Sequence, residues 1–95
     1  MLIAVKAADV RDAKLREQAV KSAKSACLNC AEGAGRVTRA DKARAYAVAR
    51  GETTEAAAAL EIAAATGDVS FEAAERVLAL AGRLSALLSG LIRKR

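Results

Sequence analysis

Ninety-five residues make one domain, or one protomer of something larger, and exclude multidomain enzyme architectures. The chain is 54% hydrophobic but only 2% aromatic, with 26 alanines, no proline, no His, no Trp, one Tyr and one Phe; it favours helices packed through small side chains and lacks the usual general base, the commonest metal ligand and the stacking platforms of single-strand binders. The net charge of +5 is polarised: residues 1–50 carry 11 basic and 5 acidic groups (+6) and residues 51–95 carry 5 and 6 (−1), a field that attracts phosphate backbones or an acidic partner and also serves solubility.

The opening Met1-Leu2-Ile3-Ala4-Val5-Lys6 is too short for the apolar core of a signal peptide. Lys and Arg interrupt every later helix-length apolar stretch, so a cytoplasmic location with no membrane partner is expected. Leu2 to Val10 can fold back as a helix of two turns or continue into the next helix; with no Gly or Pro between, local propensity favours continuity. Residues 12–33 form an amphipathic helix, with Leu15, Ala19, Ser22, Ala23, Ala26 and Cys30 on one face and Lys14, Glu17, Lys21 and Lys24 on the other. Gly33-Ala34-Gly35 offers a left-handed cap to end it. Thr38, with Asp41 three residues later, resembles a capping box and starts a helix near Arg39 that runs to about Thr66, because Gly51 alone costs only about 1 kcal/mol against alanine. Gly67 is the next stop and Ser70 the next N-cap, with Glu72 and Glu75 near the positive helix end. The last helix runs from residue 70 to about 93, with Arg93-Lys94-Arg95 suiting its negative end. In it Ala74, Val77, Ala81, Leu84, Leu88 and Leu91 keep 3,4 spacing, and Leu78, Leu80, Leu87 and Ile92 widen the apolar arc beyond what one neighbour covers. Val77, Leu80, Leu84, Leu87, Leu88 and Leu91 are therefore the expected core or oligomer interface.

Few residues suggest chemistry. Cys27-Leu28-Asn29-Cys30 has the spacing of redox and zinc sites, but there is no second cysteine pair, no histidine and no preceding strand, so both thiols read as small, reduced, buried packing groups. Glu32, Glu52, Glu55 and Glu61 lie on or beside the central helices, where lone glutamates are usually solvated or paired with Arg. Gly33-Ala34-Gly35-Arg36 lacks the Lys-Ser/Thr ending of a phosphate loop and follows a helix, so it reads as a helix–helix corner. No catalytic residue, metal ligand or cofactor is expected.

The series Ser25-Ala26-Cys27-Leu28-Asn29-Cys30-Ala31-Glu32-Gly33-Ala34-Gly35-Arg36, then Thr38 and Asp41, then Ala49-Arg50-Gly51 and Glu55, resembles the four helix bundle protein family related to proteins encoded in 23S ribosomal RNA intervening sequences. Its hallmark is a Ser-x-x-x-Asn-x-Ala-Glu-Gly-x-Gly-Arg corner; Leu15 and Gln18 match an upstream Leu-x-x-Gln, and Leu60, Ile62, Ala63 and Gly67 a downstream Leu-x-Ile-Ala-x-x-x-Gly. The resemblance implies an all-α, antiparallel up-and-down bundle without enzymatic activity that assembles into a homo-oligomer, often a pentamer. It also implies a structural polar corner of Ser25, Asn29, Glu32, Arg36 and Glu55. One similar protein, the accessory variability determinant of diversity-generating retroelements, binds nucleic acid and a reverse transcriptase, so RNA, DNA or such an enzyme are the partners implied. Where family members carry a complete first helix this chain has residues 2–10, leaving three long helices and a short N-terminal segment. Together with the charge polarity, this makes Lys14, Lys21, Lys24, Arg36, Arg39, Lys42 and Arg44 the expected phosphate contacts of a nucleic-acid-associated scaffold. The alternative is a protein-interaction module whose open groove receives a partner helix, with its charge merely solubilising.

Overall fold

In a computed structural model, which describes residues 1–94, the chain forms four helices: α1 (Leu2–Ala8), α2 (Ala13–Gly35), α3 (Arg39–Ala65) and α4 (Phe71–Arg93). Helix α3 packs against both α2 and α4, and α1 packs on α2 and α4. Hairpin geometry fixes the directions. Ser22 meets Glu55 at 3.5 Å while Gly33 lies against Tyr46, so α2 and α3 run antiparallel about their short connection. The result is an all-α helical bundle, 43 Å long and 19 × 17 Å across, its length set by the 27 residues of α3.

Side chains set three of the helix starts. Asp12, Thr38 and Ser70 accept hydrogen bonds from the backbone N–H of Leu15, Asp41 and Ala73, at 2.9, 3.1 and 3.1 Å, each satisfying one orphan donor of the first turn. The box at Thr38 is half of the expected pair, because the Asp41 carboxylate turns outward to Arg44 at 3.1 Å. Helix α3 passes through Gly51 without a break and ends before Gly67, which has φ +76°. At the end of α4, Arg93 occupies the last turn and Lys94 the C-cap, while Arg95 lies outside the described residues.

Two local expectations are corrected. Continuity of residues 2–10 with α2 gives way to a reversal: Asp9 adopts a left-handed conformation (φ 52°, ψ 59°), its N–H donates to Lys6 O, and Asp12 opens a new helix. The reversal buries Val5 and Val10 almost completely. Fully burying one valine contributes about 1.5–3 kcal/mol, which outweighs the cost of about 1–2 kcal/mol for one left-handed non-glycine residue. Nor does Gly33-Ala34-Gly35 supply a left-handed cap. Helix α2 runs through Gly35 and leaves by an extended Arg36 (φ −73°, ψ 150°), whose N–H donates to Glu32 O and Gly33 O.

The core is mostly alanine. Ala19, Ala23, Ala26, Ala49, Ala56 and Ala63 are fully buried, so the helices approach closely, and Leu60, Val77 and Leu88 are the large side chains between them. Around α1 the cluster gathers Val5, Val10, Ala19, Ala23, Ala59, Leu60, Ala63, Val69, Ala74 and Val77, and it reaches no further along α2 than Ala23 or along α4 than Val77. Two buried hydroxyls are absorbed within the bundle: Ser22 accepts from Gln18 Nε2 at 2.9 Å, and Thr53 donates to Ala49 O at 2.8 Å. Among the described residues no buried side-chain polar atom is left without a partner.

Candidate nucleic-acid interface

The expected cations fall in two places. Lys14, Lys21 and Lys24 are exposed on α2, where Arg16, Lys21 and Lys24 rim a shallow groove of about 610 Å³ floored by Val20 and Leu28. Among the described residues Glu17 is the one carboxylate of that rim. The other four stand at the α2–α3 corner, and three of them already have partners. Arg36 lies 3.7 Å from Glu32, and Arg44 lies 3.1 Å from Asp41. Lys42 Nζ donates to Gly33 O and Ala34 O at 3.2 and 3.1 Å, tying the negative end of α2 to the first turns of α3. The side chains of Lys14, Lys21, Lys24 and Arg39 make no hydrogen bond or ion pair among the described residues.

The five corner residues separate into two groups. Asn29 Nδ2 donates to Ser25 O at 2.9 Å and to Ser25 Oγ at 3.3 Å, and Glu32 pairs with Arg36, all within α2 and its cap. Glu55 stands at mid-helix instead, accepting from Ser22 in a chain that begins at Gln18. A small cleft of about 190 Å³ lies between the first group and Asp41, Arg44, Ala45 and Val48 of α3.

The thiols differ from expectation. Cys27 is exposed and only Cys30 is half-buried, because i,i+3 positions on α2 straddle the edge of its buried face. Burial, with the neighbouring Cys27, pushes the Cys30 thiol above its ordinary pKa, so it stays protonated at neutral pH. Among the described residues no three or more Cys, Asp or Glu side chains gather in a way that would hold a metal ion. The apolar row of α4 divides in the same manner: Val77 and Leu88 are core, Leu80 and Leu84 half-buried, and Leu87 and Leu91 are 67% and 43% exposed.

Several contacts at these sites have little sequence signal. Arg11 donates from its backbone N–H to Asp68 O at 2.8 Å and from its guanidinium to Gly67 O, locking the α1–α2 reversal to the α3–α4 loop, and Arg16 donates to Val10 O at 2.9 Å, bracing the reversal against α2. Tyr46 is another case. A Cβ on Gly33 would sit 2.5 Å from its ring, so glycine there is the space the phenol occupies. The detectable signal is positional, since residues 33 and 46 flank the connection near Thr38 on either side.

The family model described as 23S rRNA-intervening sequence protein matches residues 3–90, nearly the whole chain and all but the last turn of its helices. The chain belongs to this family. No curated protein and no solved structure matches it. Family membership and the four-helix, all-α architecture agree, and the corner that carries the resemblance is the α2–α3 connection. Among the described residues no helix of this family member is long and apolar enough to cross a membrane.

Proposed function

We propose that the protein is a non-enzymatic bundle that assembles with copies of itself and associates with RNA or DNA through phosphate contacts, as an accessory or scaffold protein of the cytoplasm. The observation that carries this reading is the set of exposed cations without acidic partners, Lys14, Lys21 and Lys24 along α2 and Arg39 at the corner, in a member of a family named for an rRNA intervening sequence. Each ammonium that meets a phosphate releases a condensed counterion, so affinity falls as salt rises, with little preference for sequence. Arg36, Lys42 and Arg44 are weaker contributors, because each would give up a present partner to reach a phosphate.

The test is binding of a labelled, mixed-sequence RNA duplex at several salt concentrations. In the Lys14→Glu/Lys21→Glu/Lys24→Glu variant the slope of log K against log salt should flatten by about one for each phosphate that is no longer neutralised. Unchanged affinity and slope in this variant reject the reading. A second reading, a module that takes a partner helix, is favoured by one observation: α1 has seven residues against 23 in α2 and α4, and Leu28 and Leu87 are exposed beyond the cluster that α1 caps. For that reading an amphipathic helix added in trans raises the melting temperature and nucleic acid does not.

A further inference from the structure

A cleft of about 460 Å³ opens between the start of α3 and the end of α4, lined by Val37, Arg39, Lys42, Tyr46, Leu91 and Lys94. Its volume lies within the range of roughly 300–1,000 Å³ common to small-molecule sites. Arg39, Lys42 and Tyr46 follow i, i+3, i+7 spacing and so share one face of α3, while Leu91 comes from the last turn of α4 and Lys94 from the extended C-cap that follows it. Three cations line the cleft and no carboxylate does among the described residues. Lys42 is held in place by the two carbonyls at the end of α2, which leaves one ammonium proton unassigned. Between the cations stands apolar surface that folding does not use: Val37 is 93% exposed and Leu91 is 43% exposed. The Tyr46 ring is braced from one side by Gly33 and half open on the cleft.

A bare anion needs the cations but not the aliphatic and aromatic surface. A planar, weakly polar group carrying a phosphate needs both. We propose that this cleft binds one nucleotide unit, with its phosphate on Arg39 and Lys94 and its base against Tyr46, Val37 and Leu91. One aromatic does not make the platform of a single-strand binder, but it suffices for one base. The site deepens the nucleic-acid reading and rests on it, while adding Lys94 as a further phosphate contact and Tyr46, which a backbone-phosphate surface does not require.

Tyr46 is the one tyrosine of a chain without tryptophan, so intrinsic tyrosine fluorescence reports this position alone. The experiment titrates the 95-residue chain with a short oligouridylate, with uridine 5′-monophosphate and with ribose 5-phosphate, alongside the anisotropy of a labelled oligouridylate. The oligouridylate should quench Tyr46. Quenching by the monophosphate as well assigns the site to the nucleotide itself; quenching by the oligomer alone assigns it to a nucleotide within a chain. Arg39→Glu/Lys94→Glu should abolish the quenching with little change in melting temperature, since both side chains are exposed and a glutamate gains at the positive start of α3 about what the other loses at the negative end of α4. Tyr46→Leu, which keeps an apolar neighbour for Gly33, should weaken oligouridylate binding by about tenfold. Binding seen by anisotropy with no change in Tyr46 emission overturns the cleft and leaves the wider nucleic-acid reading standing; no binding by either probe also overturns the cleft, and the wider reading is then decided by the duplex titration alone. Equal competition by ribose 5-phosphate removes the base contact and overturns the proposal.

Discussion

Gly33 and Gly82 both sit inside helices, where alanine is ordinarily better than glycine by about 1 kcal/mol, yet their surroundings give them opposite signs. A Cβ at Gly82 meets nothing within 4 Å, whereas one at Gly33 would approach Tyr46 Cε1 to 2.5 Å and Cδ1 to 2.7 Å. Gly82→Ala should therefore raise the melting temperature by several degrees. Gly33→Ala should lower it, with an overpacking cost of about 1–3 kcal/mol exceeding the helix gain. Thermal unfolding of the two variants checks the pair, and a rise in both would show that Tyr46 moves aside freely. Sequence alone marks Gly33 as a left-handed stop because a glycine needed for closeness and one needed for positive φ are the same letter, and only the partner helix separates them. Cys27 is illegible for a related reason, since mid-helix placement says nothing about which side of the helix edge an i,i+3 pair occupies. By contrast, Thr38, Gly67 and Ser70 are legible, because caps and stops are decided within one turn of chain.

At the scale of elements, α2, α3 and α4 can be read from apolar spacing and punctuation, and α1 cannot. Nothing between Ala8 and Ala13 breaks a helix by composition; the break is imposed by what lies across the bundle. Val5 and Val10 have a buried place only if the chain reverses, and Arg11 and Arg16 secure the reversal to Gly67, Asp68 and Val10. Asp9 carries the conformational cost at φ 52°. Aspartate tolerates this region better than most residues but less well than glycine, and a β-branched residue tolerates it least. Asp9→Gly should accordingly hold or raise stability by up to about 1 kcal/mol, and Asp9→Val should lower it by about 1–2 kcal/mol. Urea titration of both variants distinguishes this from a freely continuous helix, in which Asp9→Gly would destabilise. The polar corner is likewise half legible. Ser25 with Asn29 and Glu32 with Arg36 are local pairs visible as i,i+4 spacing, while Glu55 takes its partner, Ser22, from the hairpin register.

For the whole molecule, what separates a lone bundle from one that assembles is the apolar surface that folding leaves over. An alanine core lets α2, α3 and α4 pack tightly, but α4 is apolar over more of its circumference than α3 can cover, and the cluster around α1 reaches only as far as Val77. Leu87 is the most exposed member of the leucine row that continues from there, at 67%. Phe71 is equally exposed, at 70%, but lies about 160° around the same helix from Leu87, at 100° per residue. If copies associate through the leucine row, placing an ammonium there removes about 1.5–3 kcal/mol of burial for each leucine replaced and adds the cost of desolvating a charge. Leu87→Lys should then shift the mass measured by light scattering to that of the free chain while leaving helicity intact, and Phe71→Lys should leave the mass unchanged. The two variants add the same charge, so electrostatic repulsion between copies is matched and position is the variable. A mass that falls with both variants would place association in the net charge of the chain, and one that falls only with Phe71→Lys would move the contact to the opposite side of α4.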